Sequence, residues 1–349
     1  MKRDHLLPLG LRQSLSAFGE RLVSGPAPDG AILERILTDI EDLPADAVSR
    51  AAHEINAGVR LGWVRPAPRK RGVLDLFLGA PVGPPSEREL MTADPRYARL
   101  FLFHSDGRIR EAALDALVEP PATPFAFAAI ALRLNDWAEP VRAAAVRCAE
   151  RLFPLASPEL TARTAIDLVD KAFRWRRWGQ ERQALDAVFA NPAVAAHVAP
   201  LFLTGANGPL ATRLRQLLRY PGFDRGLAEL ARDAVQPSIR ATALKCLIER
   251  KVHWPVGHGW KWIDKAYGLR RRVVLTESRE LATDQDPEAL IRQGLVDRSA
   301  VVRRVAADAL IEHRASVRDL DQLIARMTAD RSPSIRERAD YMIRHPLGT

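Results

Sequence analysis

Apolar residues recur along most of this chain at intervals of three and four, and the pattern breaks at regular places. That is the signature of short amphipathic helices. In residues 1–63 the spacing through Ile32, Ile36 and Ile40 predicts helices over about 9–23, 29–41 and 45–61, with Asp29 and Asp46 as caps. Residues 64–95 break the pattern. Pro66, Pro68, Pro81, Pro84, Pro85 and Pro95 and the cluster Arg65, Arg69, Lys70 and Arg71 surround the apolar run Val73–Leu78. Prolines at that density exclude a continuous helix, so this is a connector, either a basic arm for phosphate or a loop tucking Leu76 and Phe77 into a groove. Beyond it helices return in pairs. Second members fall near 107–118, 138–153, 176–190, 208–220, 236–250, 268–283, 299–313 and 332–344, and their partners near 123–134, 158–172, 193–203, 223–233, 286–296 and 316–328.

One phrase opens many of the second helices. It reads Asp297-Arg-Ser-Ala-Val-Val-Arg303, and again from Asp330 to Arg336, Asp233 to Arg240, Asp136 to Arg142 and Asp106 to Arg110. An Asp before Ser or Pro makes a turn and a cap, and the β-branched residue and Ala-x-x-x-Leu that follow form a buried stripe. The arginine is out of place, because a cation near a helix start opposes the helix dipole. An Asp from the adjacent repeat would compensate it. Asp136, Arg142, Asp233, Arg240, Asp297, Arg303, Asp330 and Arg336 are therefore expected to form a ladder. The arginines stand one, three, two and one multiples of about 32 residues apart, and a fixed period of that size implies stacked repeats.

On this phrase, residues 100–345 resemble the HEAT-repeat family, in particular its short bacterial type. The resemblance implies an all-α, right-handed solenoid of about eight helix pairs over 96–349, with 1–63 as a helical extension or degenerate capping repeat. It implies little about chemistry, because such folds host many functions.

The sequence carries 52 Lys and Arg against 43 Asp and Glu, a net charge of +9, which favours an acidic partner. Cys148 and Cys246 occupy equivalent helical positions and are expected to be buried separately, without a disulfide framework. Cys246, His253 and His258 lack a fourth ligand, so no metal site is assigned. No Walker loop, Gly-x-Ser-x-Gly or His-Glu-x-x-His occurs, and no cofactor is expected. No apolar run has the length of a membrane span or secretory signal, so the expectation is a cytoplasmic protein with no membrane partner.

Two stretches replace the phrase with basic, aromatic sequence. The first holds Arg174, Trp175, Arg176, Arg177 and Trp178; the second holds Trp260, Lys261, Trp262, Lys265, Arg270, Arg271 and Arg272. Asp-Lys-Ala-aromatic occurs in both, which suggests a duplicated unit. At helix N-termini these arginines would add forked donors where anions already bind, and the indoles would offer stacking surfaces. The plainer alternative is core tryptophans with arginine stems laid over them. The function expected is a non-enzymatic scaffold that binds an acidic macromolecule through this face, a protein first and nucleic acid as the alternative. Some HEAT-like proteins are DNA-base glycosylases with tryptophans and one carboxylate. On that resemblance Asp264, or Asp170, is the carboxylate, and this enzyme is the last reading.

Overall fold

The computed structural model of the chain describes residues 5–24, 29–61, 85–172, 175, 177 and 179–346. They are mostly helical, with one two-stranded antiparallel sheet. They fall into two compact units, residues 1–171 with 175–188, and residues 172–174 with 189–349. Most of the proposed connector, residues 64–84, lies outside the described residues, as do residues 62 and 63.

The first unit begins with α1 (Leu9–Ser24), α2 (Gly30–Glu41), a 3-10 turn and α3 (Val48–Val59), where apolar spacing predicts helices. The Asp29 side chain caps α2 by accepting the Ala31 N–H at 3.0 Å. Next come α4 (Glu87–Ala93), opened by a reciprocal Ser86–Glu89 capping box, and the short α5 (Tyr97–Phe101). Then follow α6 (Gly107–Ala116), α7 (Pro124–Arg133), α8 (Glu139–Leu152), α9 (Pro158–Ala172) and α10 (Arg182–Phe189). Consecutive helices pack on each other, α7 on α8 and α6 on α8. The core is aromatic: Phe18, Phe101, Phe125, Phe127 and Phe153 are all buried, and Phe127 and Phe153 stack at 3.8 Å.

The second unit runs α11 (Pro192–Thr204), α12 (Leu210–Leu217), a 3-10 turn, α13 (Leu227–Asp233) and α14 (Pro237–Glu249). After the strands β1 (Lys251–Asp264) and β2 (Leu269–Glu280), helices resume with α15 (Pro287–Leu295), α16 (Ala300–His313), α17 (Leu320–Thr328) and α18 (Pro333–Arg344). Helix α14 packs on α13 and α16, and α16 on α15 and α18. Gly294 of α15 is the close-approach point. A Cβ there would stand 2.7 Å from both Ala306 of α16 and Leu244 of α14, so only glycine lets the three helices meet.

The arginines of the repeated phrase are built in alike. Arg110, Arg142, Arg240, Arg303 and Arg336 each donate Nη1 to the carbonyl six residues earlier, at 2.7–3.1 Å. Three also fork onto a carboxylate of the following repeat: Arg110 on Asp136, Arg240 on Asp297 and Arg303 on Asp330, with N···O distances of 2.7–2.9 Å. Each of these aspartates also accepts the amide two residues on, at Ala138, Ser299 and Ser332. Arg110, Arg240 and Arg303 are buried. A guanidinium removed from water is tolerated here because a bidentate carboxylate and backbone carbonyls share its N–H groups.

The ladder differs from expectation at its ends and middle. Asp233 stands seven residues before Arg240, one too many for the shared geometry. Ala234 fills the ladder place, and Asp233 is exposed and paired with its neighbour Arg232. Arg142 reaches Glu181, not an aspartate, at 2.7 Å. Arg336, in the last described helix, makes its carbonyl bonds and no ion pair among the described residues.

The largest correction is at 268–283, where a second helix was expected and β2 is found. The described residues are otherwise helical, so the all-α expectation holds coarsely and fails only at this small sheet. The strand-forming signal is local: Val273, Val274 and Thr276 are β-branched, and Val252, Trp254, Val256, Trp260 and Trp262 alternate along β1. Gly268, at φ 67°, closes the turn in the left-handed region that a β-carbon disfavours. The period itself misled. Arg240 and Asp297 are 57 residues apart, but with residues 251–280 removed this becomes 27, the separation of Arg303 and Asp330. The two multiples of 32 between Arg240 and Arg303 are thus one repeat plus a hairpin.

Candidate functional site

The hairpin leaves the helices through a narrow neck. Arg250 ends α14 in the left-handed region, and its carbonyl accepts the Leu281 N–H at 2.8 Å, so the excursion begins and ends at one point. Its base is anchored. Val252 and Trp254 are buried, and the Trp254 indole N–H donates to Glu277. Arg279 donates to the Leu218 carbonyl and the Asp224 carboxylate, and Gln216 donates to the Pro255 carbonyl.

Beyond Pro255 the ribbon stands in water. β1 carries irregularities at Val256 and Ile263, whereas β2 runs without interruption, so alternation along β2 assigns the faces. On one face Arg270 lies across from Trp262, Arg272 from Trp260 and Val274 from His258. On the other, Arg271 pairs with Lys261, Val273 with Gly259 and Leu275 with Gly257. This second face continues at the base into Trp254 and Val252, which are turned into the helices. The tryptophan face is therefore the one directed away from the anchoring contacts. Trp260 is 60% exposed and Trp262 50%, and the Arg270 guanidinium lies 4.6 Å from the Trp260 ring centre. Lys261, Lys265, Arg270, Arg271 and Arg272 are exposed and make no ion pair among the described residues.

Asp264 has a structural task at the tip. Its Oδ1 accepts the Ala266 and Tyr267 amides at 2.8 and 3.2 Å, which shapes the turn through Lys265 and Gly268. Ile263, Tyr267 and Leu269 around it are strongly exposed. These arginines sit on a strand, so the helix N-terminus expected to assist them is absent from this stretch.

The other basic stretch falls in the first unit. Arg174, Arg176 and Trp178 lie outside the described residues. Trp175 and Arg177 line a pocket of about 490 Å³ with His53, Arg133, Asp136 and Trp137. The Arg177 amide donates to Asn135 at 2.9 Å. Asp136 receives Arg110, Arg133 and the Ala138 amide, so its oxygens are committed to structure. Burial pushes its carboxyl up, but the bonds from Arg110 and the charge of Arg133 outweigh this and hold it below the usual range. Burial brings the Arg133 guanidinium down to about 10. The expected likeness between the two stretches is not found in their secondary structure. Of the first only Trp175 and Arg177 are described, and neither lies in a strand; the second is a strand pair.

Sequence reading missed Arg133, which shares Asp136, and Trp254, Glu277 and Arg279, which seat the hairpin. Alternation around Trp254 was the available signal. Cys148 and Cys246 are both buried in helices, and burial raises their thiols to about 11 and about 12. Among the described residues no three His, Cys, Asp or Glu side chains are grouped to hold a metal. Nor, among them, is any single helix long and apolar enough to cross a membrane.

No protein-family model matches the chain, and comparison with curated proteins gives no match.

Proposed function

We propose that the chain is a non-enzymatic scaffold of the HEAT-like, right-handed solenoid kind, with a β-hairpin limb that binds an acidic macromolecule. The observation that carries the binding reading is the set of exposed cations Lys261, Lys265, Arg270, Arg271 and Arg272, without an ion pair among the described residues, around two exposed indoles. Exposed tryptophan beside arginine is the composition of binding hot spots, and nothing else described in the fold uses these side chains. The solenoid reading rests on the shared arginine geometry, which gives the five repeats that carry the phrase the same carbonyl bond and links three of them to the next by an aspartate. Once the hairpin replaces one expected pair, about seven helix pairs remain in that reading. The glycosylase alternative loses ground, because Asp264 spends its Oδ1 on two turn amides at an exposed tip. Two unpaired buried thiols suit a cytoplasmic setting.

Retention on a sulfated polyanion column tests the limb. Full-length protein should elute at distinctly higher salt than an Arg270→Glu/Arg271→Glu/Arg272→Glu variant of equal thermal stability. Elution of both at the same salt would remove the hairpin from the contact.

A further inference from the structure

The distribution of charge on the hairpin narrows the partner, on the premise that the hairpin is the contact element. Cations leave both faces of the ribbon: Arg270 and Arg272 on the tryptophan face, Lys261 and Arg271 on the other. A flat anionic surface would meet one face and leave the other pair in water. On the tryptophan face each indole lies across from an arginine. Two walls of phosphate, one on either flank, satisfy both faces at once.

Dimensions agree. From Gly257 to Asp264 the free ribbon extends about 25 Å at roughly 3.3 Å per residue, and it is two strands wide. The major groove of B-form DNA, about 12 Å wide, accepts a two-stranded ribbon, whereas the major groove of A-form RNA is too narrow and deep. We propose that the hairpin enters the major groove of duplex DNA edge-on, with the face bearing Arg270, Arg272, Trp260 and Trp262 against one phosphate wall, Lys261 and Arg271 against the other, and Lys265 at the tip. Arg270, held flat against Trp260, keeps its fork oriented for a phosphate or a base edge.

Fluorescence anisotropy with the full chain tests this. The probes are a labelled DNA duplex, its single strand, the same duplex as RNA, polyglutamate, and phosphatidylglycerol vesicles read by sedimentation. Five neutralised phosphates give a log–log salt slope of about −4.5, so duplex DNA affinity should fall about 500-fold from 50 to 200 mM salt. Arg270→Glu/Arg271→Glu/Arg272→Glu should lower it at least 100-fold. Trp260→Ala/Trp262→Ala should lower it about 10-fold and leave the slope unchanged. Duplex DNA preferred at least 10-fold over every other probe supports the proposal. Equal or tighter binding of single strand, RNA duplex, polyglutamate or vesicles, lost in the same variants, overturns the groove assignment and leaves the hairpin as the contact. Binding that ignores both variants overturns both readings. Circular dichroism and melting of each variant exclude unfolding as the cause of any loss.

Discussion

Arg240 and Arg270 belong to one unit and to one stretch of about 30 residues, yet they are opposite kinds of arginine. Arg240 is 1% exposed and fully occupied by Asp297 and by the carbonyls of Ala234 and Val235. Arg270 stands in water, with only an indole beside it. The sequence places both at helix starts, Arg240 in the repeated phrase and Arg270 in a stretch that replaces it. What separates them is position relative to a neighbour. A guanidinium on a helix facing the next repeat meets that repeat's turn, whereas one on a ribbon beyond the helices meets nothing in its own chain. Net charge alone therefore does not locate a binding surface, because arginines such as Arg110, Arg240 and Arg303 are internal and matched by carboxylates.

The sharpest way to break this contrast is to truncate one arginine of each kind. Arg240→Ala strands Asp297 and two carbonyls, and should cost about 3–5 kcal/mol. Arg270→Ala should stay within about 0.5 kcal/mol. Denaturant titration of the full chain measures both, and similar losses would abolish the distinction.

Acid sharpens it next. In Asp297 burial raises the carboxyl, but the Arg240 bonds overcome this and set it below its ordinary 3.8; in Asp330 the Arg303 bonds lead and the shift is again downward. A carboxyl depressed in the folded state contributes stability that is whole above its unfolded value and lost as pH falls through its folded value. Stability should therefore decline below about pH 4, and Asp297→Asn should flatten that decline while lowering stability at pH 7. Melting temperatures between pH 2 and 7 read this directly. Unchanged acid sensitivity in Asp297→Asn would assign the decline to other carboxyls.

The smallest expected effect lies at the end of the ladder. Arg336 has the carbonyl bonds of its relatives without a carboxylate from a following repeat. Arg336→Ala should cost about 1 kcal/mol, the scale of ordinary hydrogen bonds. A loss as large as that of Arg240→Ala would mean that the carbonyl bonds, not the carboxylate, dominate the ladder.

Much of the helical framework was legible because its causes are local. The phrase carries its own cap, stripe and turn, and Gly107–Ala116, Pro237–Glu249, Ala300–His313 and Pro333–Arg344 lie where it places them. Arg142 to Glu181 was not legible, since an acid from a different kind of turn closes that bond. Asp233 was misplaced by one residue, a slip that only the carbonyl geometry of Arg240 exposes. The hairpin was hidden by its own length. Being close to one period, it let the repeat count absorb strands whose alternation through Trp254, Trp260 and Trp262 was plain. For the candidate site, residue types were readable and their setting was not: the arginines are on a strand, and Asp264 is a turn residue.

The neck at Arg250 and Leu281 has a consequence for how the chain folds. Joining Arg240 to Asp297 across 57 open residues would cost about 0.7 kcal/mol more in chain entropy than joining partners 27 apart. A ribbon that zips on itself first, from the Asp264–Gly268 turn, brings Arg250 beside Leu281 before the helices meet. The search that assembles the repeats then runs over a chain with the limb already subtracted, so the loop to be closed is that of an uninterrupted array.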